Sequence, residues 1–339
     1  MNMKLLELFS GVGSFSLGMS RNGIDHEIVG YSDIRNSAVK LFCKLHNMTE
    51  EQNLGDVKNV NAKGMNVDII TYGSPCQSFT RAGKGEGGEK GSDTKSSLMW
   101  ETVRIVGECN PKIVIWENVP DAVNKKNIGN FINYTDELEE MGYNSYYKVI
   151  NANKNGSAQK RSRLFCVSIR KDVDDHKFKF IEDSNDPVKD LSFYLVDKGI
   201  QGFDVEEKIQ QALILGEDGD KLKIRNATIS GYALAEEGDI VDTGFYNSKT
   251  RRGRVQNSAC PTLLRSKTIS VIENGRLRYL TPKEYWLLQE MPIELYDHVE
   301  SCDYSLSEAY DVVGGVINQK HMDVLFKSLK LWLDNNNKF

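Results

Sequence analysis

Through the first third of the chain, short apolar runs that end in polar or glycine turns alternate with helical stretches. Residues 4–8 (KLLEL) read as a buried strand that breaks into a two-glycine turn, and a helix opens at 14–22. A second strand is expected at 27–31 (EIVGY), followed by a helix over 37–46. Residues 68–72 (DIITY) and 113–116 (IVIW) are two further strands, with helical periodicity at 98–109 between them. This alternation predicts an α/β fold: a Rossmann-like, mostly parallel sheet with right-handed crossovers. In such sheets function gathers in the loops at the carboxyl ends of the strands.

A further strand, 164–169 (LFCVSI), precedes a change of character. Residues 172–247 hold 18 acidic and 8 basic side chains, and 248–278 hold 8 basic and 1 acidic. Residues 154–171 carry six basic groups and no acid. The net charge of −5 over 339 residues (43 Lys and Arg against 48 Asp and Glu) therefore averages segregated blocks. It argues against wholesale polycationic binding and leaves room for local basic faces. Length and this shift suggest three parts: 1–171, a smaller domain over 172–305, and a segment 306–339 that packs back on the first. Within the second, 281–289 reads as a helix with Thr281 at the N-cap, Pro282 at its first position and Leu287 and Leu288 inside. An amphipathic stretch follows at 321–333.

The six cysteines (43, 76, 109, 166, 260 and 302) form no CxxC pair, and the five histidines show no metal spacing. Reduced thiols and no metal are expected. No apolar stretch reaches membrane-spanning length and none reads as a signal peptide, so a cytoplasmic protein without membrane contact is expected.

Residues 9–15 (FSGVGSF) follow the first strand. Gly11 and Gly13 permit a tight turn and close backbone approach of a ligand, and the helix that follows offers free N–H groups. Ser16 stands where a dinucleotide fingerprint has its third glycine, so an adenosine ligand without phosphates fits as well as a pyrophosphate. Asp33, just past the second strand, suits ribose hydroxyls, or caps the helix that follows. Asp56 lies in a third polar turn. Residues 73–79 (GSPCQSF) put Cys76 at a strand end, where Pro75 fixes the chain and a nucleophilic thiolate is plausible. The glycine-rich 83–92 that follows reads as a lid or as a plain loop. Glu117, in 116–119 (WENV), ends the next strand and offers a carboxyl to a substrate ring nitrogen. In 159–163 (QKRSR), Arg161 and Arg163 alternate, so they should share a face as a pair of guanidinium forks.

In this order these motifs, with 278–292 (RYLTPKEYWLLQEMP) and 310–316 (YDVVGGV), resemble the DNA (cytosine-5)-methyltransferases, over residues 4–171 and about 276–333. The resemblance implies methyl transfer from S-adenosylmethionine, giving S-adenosylhomocysteine, to C5 of a flipped cytosine in duplex DNA. It implies an S-adenosylmethionine-dependent catalytic domain and a smaller target-recognition domain. Cys76 would attack C6, Glu117 would hold the N3/N4 edge, and Arg163 with Arg161 would hold the O2 side. Phe9, Gly11, Gly13, Phe15, Asp33, Asp56 and Pro75 would bind the cofactor, with Phe15 against the adenine. Gln77, Ser78, Arg251, Arg252, Arg254, Thr262 and Arg265 would meet DNA, and the acidic 172–247 would face away from it. Arg278, Thr281 and Gln289 would organise the small domain.

A monomer is expected, with a cognate restriction endonuclease acting separately. Two positions depart from the family pattern: 314–316 reads Gly-Gly-Val for the usual Gly-Asn-Ser, with Asn318 a candidate substitute, and Ser96-Ser97 stand for the usual Arg-Gly. Methylation of tRNA within the same chemistry and a catalytically silent DNA-binding relative are the alternatives. An adenine-nucleotide oxidoreductase would need a third glycine and a hydride partner, and the sequence offers neither.

Overall fold

Apolar runs with almost no polar interruption become strands buried on both faces, the form that parallel strands take between helices. The computed structural model describes residues 2–75, 90–92 and 94–336. In chain order the strands are β1 (Met3–Leu8), β2 (His26–Ser32), β3 (Ile69–Gly73), β4 (Ile113–Asn118), β5 (Tyr143–Asn151), β6 (Gln159–Lys160), β7 (Ser162–Arg170), β8 (Ile214–Asp218), β9 (Lys221–Arg225), β10 (Tyr232–Ala235), β11 (Ile240–Asp242), β12 (Arg254–Gln256), β13 (Cys260–Pro261), β14 (Ile269–Glu273) and β15 (Arg276–Tyr279). The helices are α1 (Ser14–Arg21), α2 (Asn36–His46), α3 (Met99–Cys109), α4 (Ile128–Glu140), α5 (Glu207–Leu213), α6 (Pro282–Leu288), α7 (Tyr296–Glu300), α8 (Leu306–Gly314) and α9 (Gln319–Asn335).

The chain divides into two units. One comprises Met1–Asn151, Ser162–Ser184 and Gln319–Phe339, and the other Ala152–Arg161 and Asn185–Asn318. These bounds differ from the expected 172–305 for identifiable reasons. Residues 172–184 stay with the first unit because Trp332 donates to Asp175 and Ile181 N donates to Ser328 Oγ. Helix α8 stays with the second, where Tyr310 packs edge-on against Tyr285 and donates to Leu280 O.

The first unit is an α/β sheet in the order β2-β1-β3-β4-β7-β5. Strands β2, β1, β3 and β4 are parallel, while β7 runs antiparallel to both β4 and β5. The chain steps from β1 outward to β2, then returns to the other side of β1 for β3. That reversal leaves a crevice at the carboxyl ends of β1 and β3, the usual ligand position in open sheets. The core under it includes Trp116, tilted against Tyr134 at 4.8 Å, and a Tyr72–Tyr134 hydroxyl bond of 2.6 Å. Strand β5 gave no sequence signal. It is an edge strand with Tyr147 and Val149 exposed, so its alternation is blurred.

The second unit holds a three-stranded sheet β10-β9-β8, a four-stranded sheet β12-β11-β14-β15 and the parallel pair β13-β6. Val205, Leu213, Leu222, Ile224, Val241, Ile272 and Leu277 share one core. Helix α6 has a capping box between Thr281 and Glu284 with Pro282 at its start. Its inner side is Tyr285, Trp286 and Leu288, and Leu287, expected inside, is only partly covered. Arg278, buried, donates to both oxygens of the fully buried Glu284 at 2.9 and 3.0 Å, a paired charge rather than an isolated one.

Candidate active site

Strand register sets the site. Leu8 lies opposite Ser32 and Tyr72, and Gly73 lies opposite Glu117, so the loops after β1, β2, β3 and β4 leave the sheet at one level. The first of these loops winds through positive φ at Phe9 (48°), Gly11 (58°) and Gly13 (80°). Gly11 N donates to Asp33 Oδ2 at 2.9 Å, and Gly13 N donates to Ser10 O. Asp33 does not cap α2 from the N-cap position. Its carboxylate also accepts from the backbone N–H and the guanidinium of Arg35. Asp33 is thus a fixed, nearly buried acceptor joining the β1 and β2 loops. Asp56 accepts from Lys58 N at 3.0 Å and starts a short 3-10 turn.

Two residues under this loop escaped the sequence reading. Glu7 is fully buried and accepts the N–H groups of Phe15 and Ser16, each at 3.3 Å, at the start of α1. Burial pushes its carboxyl up to about 7. His46, at the end of α2, lies 4.4 Å from Phe42 and hydrogen-bonds Val12 O through Nε2 at 3.0 Å. Desolvation pushes its imidazole down to about 4, so it is neutral at neutral pH and Nε2 carries the proton for Val12 O. A Cβ on Gly13 would come within 1.9 Å of that ring. The signals were present: an acid inside an apolar strand, and a histidine where α2 turns back.

Phe15 corrects an expectation. Its side chain is 3% exposed and meets Phe326 edge-on at 6.5 Å, so it faces the interior. Phe9 is the aromatic left partly exposed at the loop.

At the β3 and β4 ends, Ser74 Oγ accepts from Trp116 Nε1 at 2.9 Å, and Asn118 Nδ2 donates to Ser74 O at 3.2 Å. These bonds fix the backbone that enters Pro75. Cys76, Gln77 and Ser78 lie outside the described residues, as does the 83–92 loop apart from 90–92. Glu117 Oε1 sits 2.9 Å from Arg163 Nε, with both side chains mostly covered. A Cβ on Gly73 would come 2.9 Å from Glu117 Oε2, so glycine there makes room for the carboxylate.

Arg161 and Arg163 do not form the expected pair of forks. Strand β7 begins at Ser162, and the chain passes from the second unit to the first between them. Arg163 pairs with Glu117, whereas Arg161 is buried in the second unit with Nη1 donating to Leu263 O at 3.2 Å. Nearby, Thr262 Oγ1 donates to Lys160 O at 2.9 Å, and β6 pairs with β13. The 159–161 and 260–263 segments are therefore one assembly. Arg265 lies 3.8 Å from Asp311, and a Cβ on Gly315 would touch its guanidinium at 3.0 Å. A Cβ on Gly314 would come 2.2 Å from Leu264 O. The close approach requires the glycine at 314 that the family pattern shares, and the departure at Gly315 leaves room for the Arg265 guanidinium. Asn318 is buried and spends its amide on Ser157 Oγ and Leu288 O. Ser96 is buried, and Ser97 closes a short turn on Thr94 O. Arg252 Nε donates to Asn226 O in the β9–β10 turn of the second unit at 3.1 Å, Arg251 lies over the Phe245 ring at 5.4 Å, and Arg254 stands opposite Asp242 in the β11–β12 ladder.

Among the described residues, no group of three or more His, Cys, Asp or Glu could hold a metal, and no helix is long and apolar enough to cross a membrane. Cysteines 43, 109, 166, 260 and 302 are free thiols.

A family model described as C-5 cytosine-specific DNA methylase matches residues 3–330. The orphan methyltransferase M.SPRI of Bacillus phage SPR is 36% identical over 173 residues, which take in 50% of this chain and 38% of that protein. The type II methyltransferase M2.ScrFI of Lactococcus lactis subsp. cremoris is 26% identical, with 96% of this chain and 99% of that protein covered. A variant of Spodoptera frugiperda DNMT2 shares the fold at TM-score 0.68 and 19% identity, over 97% of this chain and 100% of that one.

Proposed function

Because the chain belongs to the C-5 cytosine-specific DNA methylase family, we propose that it methylates C5 of a flipped-out cytosine in a specific short duplex DNA sequence. The methyl donor is S-adenosylmethionine. The observation that carries this reading is the Glu117–Arg163 pair at the end of β4, level with the β3 end that leads through Pro75 into Cys76.

The β1 loop suits the cofactor. Phe9, rather than Phe15, offers a partly exposed ring to an adenine. Glycines at 11 and 13 keep side chains off the loop, and Asp33 retains acceptor sites beyond those given to Gly11 and Arg35. Asp56 and Pro75 complete the set. When bound, S-adenosylmethionine supplies an electrophilic methyl group.

Cytosine C5 is too poor a nucleophile to take that methyl unaided. The Cys76 thiolate adds to C6, the C5=C6 double bond opens, and electron density moves to C5. Glu117 engages the N3/N4 edge, where the charge of the adduct collects. Arg163 holds Glu117 in place and serves the O2 side. After transfer the C5 proton leaves to a base, Cys76 is expelled, and the double bond is restored. The chemistry requires a base taken out of the stack.

We read the first unit as catalytic and the second as target-reading, with Arg251, Arg252, Arg254, Thr262 and Arg265 toward DNA, joined by Gln77 and Ser78. A monomer acting on cytoplasmic DNA, with any cognate restriction endonuclease separate, completes the reading.

The test is label transfer from methyl-labelled cofactor to duplex DNA. Label in 5-methylcytosine is expected, and label in adenine or only in RNA overturns the reading. Cys76→Ser should bind DNA and turn over at no detectable rate. Duplexes carrying 5-fluorocytosine at the target should trap wild-type protein covalently, and an unmodified protein recovered from that incubation would contradict the covalent step.

A further inference from the structure

The β8–β10 sheet is electrically polarised along its strands. At the start of β9 the cations are neutralised: Lys221 pairs with Glu236, and Lys223 lies 3.3 Å from Asp218. At the far end Arg225 closes the strand, and residues 226–231 turn into β10. That turn is braced internally. Asn226 Oδ1 accepts from Thr228 N at 3.0 Å and from Thr228 Oγ1 at 2.6 Å, and Ser230 Oγ donates to Tyr232 O at 2.9 Å. Asn226 N donates to Gly231 O, and Gly231 N to Thr228 O. At the apex Ile229 is 109% exposed, as open as an isolated residue, between exposed Thr228 and Ser230.

A second segment buttresses the turn. Arg252 Nε donates to Asn226 O, and a Cβ on Gly253 would lie 2.0 Å from Arg225 O, so only glycine lets this segment come so close. The approach brings Arg252 against the turn that Arg225 enters, while Arg251 lies over the Phe245 ring at 5.4 Å. Among the described residues neither Arg225 nor Arg252 forms an ion pair, whereas Arg254 stands opposite Asp242 in the β11–β12 ladder and its charge acts on that carboxylate. A bare aliphatic side chain on a braced tip, on a turn flanked by Arg225 and Arg252, matches a polyanion with an apolar interior.

We propose that the β9–β10 turn is a DNA-distorting element, in which Arg225 and Arg252 hold phosphates while Ile229 enters the base stack as an apolar wedge. Wedges of this kind unstack a base step and bend the duplex around the protein. This rests on the reading of duplex DNA as substrate, and it revises the expectation that the acidic 172–247 faces away from DNA. Within that block, the β8–β9 end of this sheet carries acids and its opposite end carries Arg225.

The experiment uses the full chain and duplexes containing a site mapped by methylation sequencing of DNA from cells that express it, with 2-aminopurine beside the target cytosine. Ile229→Ala should hold duplex affinity within about threefold while the 2-aminopurine signal and the methylation rate fall ~10-fold, and Ile229→Leu should retain both. Opposing the target with an abasic position should restore the Ile229→Ala rate, because the base is then already unpaired. Arg225→Gln should lower the slope of log affinity against log salt by about 0.9. A wild-type fluorescence signal and rate for Ile229→Ala on paired duplex overturns the wedge, as does a salt slope unmoved by Arg225→Gln. If those variants instead abolish self-association or capture of a protein partner with DNA methylation intact, the turn is a protein interface and the proposal fails alone. If wild-type protein methylates no duplex, the substrate reading fails as well.

Discussion

The β1 loop of the first unit and the β9–β10 turn of the second are both tight connections with glycines at positive φ, yet they are stiffened by opposite means. The loop is held from beneath by two groups that burial shifts, Glu7 on the N–H groups of α1 and His46 on Val12 O. The turn is held mainly by neutral amide and hydroxyl bonds, with the permanently charged Arg252 donating to Asn226 O. Protonation should therefore govern the first, and ionic strength the second.

The largest expected effects separate the two kinds of support. Gly13→Ala and Gly253→Ala each put a side chain at positive φ into an occupied space, and each should cost about 4 kcal/mol in a denaturant titration. They should differ in rescue. The obstacle at Gly13 is the His46 ring, so His46→Ala should recover part of the loss. The obstacle at Gly253 is the Arg225 carbonyl, so trimming the Arg225 side chain should recover none. Equal rescue at both positions would erase the contrast.

Next in size is the pH dependence. Glu7 has an ordinary value of 4.5 that burial raises to about 7. Between those values the unfolded chain holds fewer protons than the folded one, so this group makes stability fall as pH rises, by about 3 kcal/mol in all. His46 is lowered from 6.5 to about 4. Between those values the unfolded chain holds more protons, so stability falls as pH drops, by roughly 2 kcal/mol once partial exposure is allowed for. The two slopes oppose each other between 4.5 and 6.5. Glu7→Gln should expose the acid-side loss and His46→Asn the loss toward neutrality, both visible in melting midpoints across pH. Arg225→Gln and Ile229→Ala should leave those profiles unmoved.

Smallest of all, Gly231→Ala should cost only about 1 kcal/mol, because its φ of 78° meets open space rather than a neighbour. A cost as large as that of Gly253→Ala would show that the turn is less open than its surroundings indicate.

What could be read from the sequence follows the same division. Strands β1, β2, β3 and β4 are short runs cut off by glycine or polar residues, so their ends, and with them Asp33, Pro75 and Glu117, fell at one edge by order alone. Glu7 was absorbed into KLLEL as a strand residue, since periodicity does not reveal that a helix start lies over it. Phe9 and Phe15 flank the loop equally in sequence, and only packing against Phe326 separates them. The Arg161–Arg163 alternation assumed a strand that begins one residue too late to include Arg161. The β9–β10 turn was lost to averaging: charge summed over 172–247 hides Arg225, and its neighbour Arg252 falls in the next block.

The chain passes between its two units four times, after residues 151, 161, 184 and 318. Recombination that exchanged 185–318 between relatives would carry nearly all of the second unit but leave the decapeptide 152–161 with the recipient. There Gln159 and Lys160 form a ladder with Cys260 and Pro261, and the Gln159 amide reaches Leu288 O and Gln289. A transplanted cassette must therefore fit a short host strand that it does not bring with it. Grafts chosen for compatibility at 152–161 should express as folded chimaeras more often than grafts chosen for the similarity of their sites.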